Sequence, residues 1–122
     1  MLEHRLDAAN SILYLRPTSS LEKEDFAQLA KLVDPHIAQS GDLAGLVVEA
    51  PKFPGWDSFG ALAAHMRFVR DHHQRIRKIA LVTDSAMGNV AQRLASHFVA
   101  AEIRHFSSGE IDAANRWILN RP

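Results

Sequence analysis

Ser58 sits beside Asp57 at the mouth of a helix-patterned stretch. A hydroxyl in that place can accept an amide of the first helical turn as an N-cap. It can also carry a phosphate, which the free amides and the helix dipole would stabilise. Neighbouring Asp57 would oppose the added charge and can itself act as the cap. Just upstream stand Phe53 and Trp56, two large aromatics in a loop stiffened by Pro51 and Pro54. Loops of this kind are normally polar, so the aromatics either close over the core or meet something outside it. A second polar pair, Asp84 and Ser85, follows a later apolar run, with Met87 behind it. The candidate ligand site therefore takes apolar contacts from Phe53, Trp56, Phe59, Met66 and Met87. Its polar contacts come from Asp57, Ser58, Asp84 and Ser85.

No catalytic constellation accompanies these residues. The chain has no Gly-x-Ser-x-Gly elbow, no P-loop and no GxGxxG fingerprint. Its seven histidines include no HExxH. His65 and His72 lie two helical turns apart, a spacing that reads as partly buried or capping residues rather than zinc ligands. No cysteine is present, which removes disulfides and thiolate chemistry and fits a reducing compartment. No enzyme activity, metal or cofactor is expected.

The elements that position these residues follow from periodicity. Residues 2–6 and 11–16 read as strands around the turn Asp7-Ala8-Ala9-Asn10. Ser19 and Glu22 have capping-box spacing, and Phe26, Leu29, Val33 and Ile37 mark the buried face of a first helix. Pro35 within it predicts a kink or break near Asp34. Residues 43–50 form a nearly unbroken apolar run, as in a central parallel strand, and residues 76–83 read as another central-looking strand. Between them a helix is predicted over residues 57–73. Phe59, Leu62, Met66 and Val69 form one stripe on it, and Ala61, Ala64, Phe68, His65 and His72 widen the apolar face. Part of that wide face packs on the protein, or part of it meets a ligand, lipid or second chain. A third helix is expected from Asp84 or Ser85 to about Phe98, with Met87, Ala91, Leu94 and Phe98 inward. A strand over 101–106 and a helix from Ser107 or Ser108 to 117–119 complete the order ββαβαβαβα. Alternation of this kind predicts one α/β domain over 1–122, with a mixed, mainly parallel sheet and an antiparallel N-terminal hairpin.

Bulk composition narrows the partners. The chain of 122 residues balances 14 basic against 14 acidic side chains, so the basic surplus of a nucleic-acid binder is missing. No signal peptide and no membrane-spanning stretch is legible. A cytoplasmic protein is expected, peripheral if it meets a membrane at all, and its wide apolar helix is compatible with a homo-oligomer.

The pattern resembles the SpoIIAA-like STAS/Sec14-type family of small bacterial proteins. The match rests on Phe53-Pro54-Gly55-Trp56 before a helix and on the run from Ala64 to Ala80, with its paired His72-His73 and basic lead into a strand. It rests also on Ala101 to Phe106, followed by a small polar cap and a helix carrying Trp117. Within the wider STAS group, anti-sigma-factor antagonists carry a phosphorylated serine in an Asp-Ser-Ser-Gly entry to the second helix. Here that entry reads Asp57-Ser58-Phe59-Gly60, which puts Ser58 at the phosphorylatable position and Phe59 where the group has a small residue. The resemblance implies a non-enzymatic module that binds a small, lipid-like ligand or docks on a membrane surface or protein partner. Its alternative is a regulatory protein switched by phosphorylation of Ser58.

Overall fold

The computed structural model describes residues 1–52, 54–84 and 99–120. Strands β1 (Leu2–Asp7) and β2 (Ile12–Pro17) form the hairpin, followed by α1 (Lys23–Ser40) and β3 (Leu43–Glu49). Helix α2 (Phe59–His72) runs through a 3-10 turn into β4 (Ile76–Val82), and β5 (Glu102–Phe106) leads to α3 (Ile111–Leu119). The predicted helix from Asp84 or Ser85 to about Phe98 lies outside the described residues, apart from Asp84.

The strands form one sheet in the order β1-β2-β3-β4-β5, antiparallel between β1 and β2 and parallel elsewhere. Burial on both faces explains the apolar run of β3 and the apolar stretch 79–82 of β4, which follows the charged pair Arg77 and Lys78. On one face Leu13, Leu15 and Leu46 pack against Leu29, Val33 and Ile37 of α1, with Phe68 of α2 alongside. On the other, Ile12, Val47, Ala80, Val82 and Phe106 meet Ala114 and Ile118 of α3. Gly45 permits that second contact: a Cβ there would lie 2.5 Å from an Ile118 methyl. Lys78 fixes the end of α3, its Nζ donating to the carbonyls of Trp117 at 2.8 Å and Asn120 at 3.0 Å.

Three expectations shift. The first helix begins at Lys23 rather than behind Ser19. Leu21 is held in a bridge to Trp56, and the Asp25 carboxylate accepts the Glu22 amide at 2.8 Å, so Glu22 is the cap. Pro35 does not interrupt α1, which is continuous through residue 40. Pro35 and Lys31, the residue whose carbonyl loses an amide partner, both lie on the exposed side, where water can replace the missing bond. The last helix starts at Ile111 because Ser107, Ser108 and Gly109 form a turn, closed by the Glu110 amide on the Ser107 carbonyl, with Gly109 at φ 89°.

Candidate functional site

The loop before α2 is stitched to the segment before α1. Leu21 N–H donates to Gly55 O at 2.8 Å and Asp57 N–H to Leu21 O at 2.9 Å. Gly55 makes the turn with φ 84°, a conformation that side-chain-bearing residues rarely adopt. These bonds bring Trp56 over the start of α2, where its indole N–H donates to His65 Nδ1 at 3.1 Å. His65 also stacks on Phe26 of α1, with ring centroids 4.9 Å apart. Burial pushes its pKa below the ordinary histidine value, and the neutral ring is the form that can accept the indole proton.

Ser58 is the N-cap of α2. Its backbone is extended, and its Oγ accepts the Ala61 amide at 3.1 Å. The side chain remains exposed, as does Asp57. Phe59 follows with 89% of its surface exposed, and Met66 is 49% exposed. Phe59, Ala63 and Met66 fall at successive helical turns along the outer side of α2. Exposed Arg67 and Arg70 continue that side toward the helix end, and exposed Lys52 lies in the preceding loop.

The predicted stripe is therefore rotated. Phe59 and Met66 face solvent, whereas Ala61, His65, Phe68 and His72 turn inward. Phe68 stacks on His72 at 4.0 Å, and His72 is only 8% exposed. Its Nδ1 pairs with Phe68 O at 2.8 Å and its Nε2 with Asp34 Oδ1 of α1 at 2.7 Å. The inward positions repeat at steps of four, three and four, which is helical spacing. Two of them are histidines, so counting only apolar residues selects the other stripe. Phe26 was read from sequence only as part of the buried face of α1 and Asp34 only as the place of a kink; that they are the α1 partners fixing this rotation was not legible.

The second half of the predicted site is only partly described. Phe53, Ser85 and Met87 lie outside the described residues. Asp84 is exposed, and its Oδ1 accepts the Ser108 amide at 2.9 Å. Thr83 and Pro51 meet beside it, with the Thr83 hydroxyl 3.4 Å from Pro51 O. The ends of β3, β4 and β5 thus converge at one sheet edge. Trp56 and Ser58 are tied to the entrance of α1 and to α2, and Asp84 is tied to the loop after β5.

Two concavities lie elsewhere. One of about 320 Å³ opens beside α3 over β1 and β2, among Glu3, Arg5, Tyr14, Arg16 and Glu49. The other, about 400 Å³, lies at the amino ends of β2 and β3 around Ser11, Asp42 and Arg77. There Ser11 Oγ meets His36 Nε2 at 2.8 Å and Asp42 O at 3.4 Å, which ties the start of β2 to α1 and β3. Among the described residues, no three His, Asp or Glu side chains converge as metal ligands.

A SpoIIAA-like family model matches residues 12–119. The chain is also similar to a crystal structure of an uncharacterized protein of the DUF3478 family, with a SpoIIAA-like fold, from Shewanella loihica PV-4. The two superpose with a TM-score of 0.78 at 17% identity, over 96% of this chain and 93% of that one. No curated protein matches.

Proposed function

The chain belongs to the SpoIIAA-like family, and from that premise we propose that it is a non-enzymatic module that docks on a membrane surface through the outer side of α2. The observation that carries this reading is the 89% exposure of Phe59 at the head of a helix whose outer side also bears Met66. A large aromatic left in water gains roughly 2–3 kcal/mol on transfer to an apolar medium. Trp56, 37% exposed just ahead of α2, keeps its N–H turned toward His65, an arrangement suited to an interface wet on one side. Lys52, Arg67 and Arg70 supply cations for anionic headgroups, partly offset by Asp57 and Asp71. What supports surface docking is the exposure of Phe59 and Met66 on one side of α2. Among the described residues no helix is long and apolar enough to cross a membrane.

Sedimentation with phosphatidylglycerol-containing vesicles tests the reading. The wild-type chain pellets with the vesicles, and Phe59→Asp weakens the association by ~10-fold or more. Failure of the wild-type chain to pellet, or equal binding by both chains, overturns it.

A second reading keeps Ser58 as a phosphorylation switch. Its exposed hydroxyl at the first turn of α2 favours that role, since a phosphate there would meet the helix amides within a few ångströms of Phe59. Equal vesicle binding by wild type, Ser58→Ala and Ser58→Asp would remove it.

A further inference from the structure

The sheet ends at β1, and no described strand pairs with its outer edge. An open edge is a template for another strand, which proteins either block or use. The hydrogen-bond phase shows which backbone groups it offers. Thr18 N–H donates to Met1 O at 3.0 Å, and Leu2 stands opposite Pro17, which has no N–H. In an antiparallel ladder bonded and non-bonded pairs alternate. Glu3, Arg5 and Asp7 therefore face β2, and the amides and carbonyls of Leu2, His4 and Leu6 face the free edge.

The strand reads Leu2-Glu3-His4-Arg5-Leu6-Asp7, a pattern complementary to itself when reversed about His4. Antiparallel pairing of two copies centred there sets Leu2 against Leu6 and Glu3 against Arg5, twice each by symmetry. It also uses the outward backbone groups of Leu2, His4 and Leu6. Moving the centre to Glu3 sets Glu3 against itself, and moving it to Arg5 sets Arg5 against itself, so charge selects one register. The other edge strand lacks this property. Reversed about its centre, β5 sets Arg104 against Arg104.

The neighbouring side chains extend the match. Glu3 is the cross-strand partner of Arg16, and Arg16 Nε lies 3.6 Å from Glu49 Oε1. Pairing would continue that row as Glu49, Arg16, Glu3 and then Arg5 of the second copy, with signs alternating throughout. Glu3, His4 and Arg5 are exposed, and Leu2 and Leu6 are partly buried at the rim of the core.

We infer that β1 is a self-association surface, and that two copies of this chain join their sheets edge to edge in antiparallel register about His4. The contact is isologous, as a closed two-fold dimer requires. It rests on a single strand, so the dimer is reversible and dissociates on dilution. This inference is independent of the membrane reading, because none of its residues belongs to the outer side of α2.

Sedimentation equilibrium of the untagged chain, with circular dichroism to confirm the fold of each variant, tests it. The wild-type chain shows a concentration-dependent dimer. Glu3→Arg and Arg5→Glu each set like charges opposite one another and raise the dissociation constant by ~10-fold or more. The double variant Glu3→Arg/Arg5→Glu restores the dimer, and an equimolar mixture of the two single variants forms a heterodimer. His4→Pro removes an outward amide without touching the bonds to β2, and gives a monomer. A wild-type chain that is monomeric at every concentration overturns the inference. So does a dimer indifferent to the single reversals, or one that the double reversal fails to restore.

Discussion

At Trp56 one proton decides which form of His65 the fold can hold. The indole N–H needs an acceptor, and a protonated imidazole offers only donors. Burial against Phe26 works in the same direction by penalising the charged ring. The folded chain thus holds a proton on His65 more weakly than the unfolded chain does. Below the ordinary histidine value of about 6.5 the unfolded state takes up the extra proton first. The stabilising contribution of neutral His65 is complete above that pH and declines as pH falls toward the lower folded-state value. Urea unfolding of the wild-type chain is expected to show stability rising between pH 5.5 and pH 7.5 (~2 pH units spanning that histidine value). His65→Gln removes part of the slope, and an unchanged slope would locate the titration elsewhere. Ser58 illustrates a different limit of single residues, because its capping bond leaves its exposed hydroxyl free to donate or be modified.

Among the elements, α2 and α3 use opposite means of attachment. Helix α2 is held to α1 by the Phe26–His65 stack and by the Asp34–His72 pair at 2.7 Å, directional contacts that specify one rotation of the helix. That rotation leaves Phe59 and Met66 outside. Helix α3 instead comes close to the sheet, and the space for Ile118 exists because Gly45 has no side chain. Gly45→Ala must displace Ile118 and is expected to cost ~1–3 kcal/mol in chemical denaturation. Gly60 in the first turn of α2 makes the contrast: a Cβ there meets only Ser58 Oγ, at an ordinary 3.5 Å. Gly60→Ala should stabilise by ~0.5–1 kcal/mol, since a helical alanine loses less backbone freedom on folding. Similar costs for both variants would contradict the close approach of α3.

Over the whole molecule the two proposed surfaces predict one another's behaviour. Antiparallel edge pairing has its two-fold axis perpendicular to the sheet, so both copies of α1 and α2 lie on the same side of the joined sheet. A dimer therefore presents two α2 helices together, and vesicle binding gains from avidity. Glu3→Arg, which leaves α2 untouched, is expected to reduce vesicle binding by ~10-fold or more at concentrations where the wild type is dimeric. Phe59→Asp reduces vesicle binding without changing the dimer mass. If Glu3→Arg abolishes the dimer yet leaves vesicle binding intact, docking uses one α2 at a time.

Sequence alone was enough for the order of the described elements, the parallel core and the antiparallel hairpin. These depend on local periodicity and on chain connectivity, which apolar runs such as 43–48 and 79–82 carry plainly. It also placed Ser58 at the entrance of α2, because a capping residue is recognised from its immediate neighbours. The start of α1 was not legible, since Leu21 is claimed by Trp56, distant in sequence. Nor was the exposed side of α2. A helix with apolar character around much of its circumference has several nearly equivalent rotations, and the partners that choose one, Phe26 and Asp34, belong to α1. The tertiary structure made that choice by pairing His72 with Asp34 across 38 residues of chain. It likewise set the phase of β1 through the bond from Thr18 to Met1. Only long-range contacts of this kind decide which side chains and backbone groups are left for a partner.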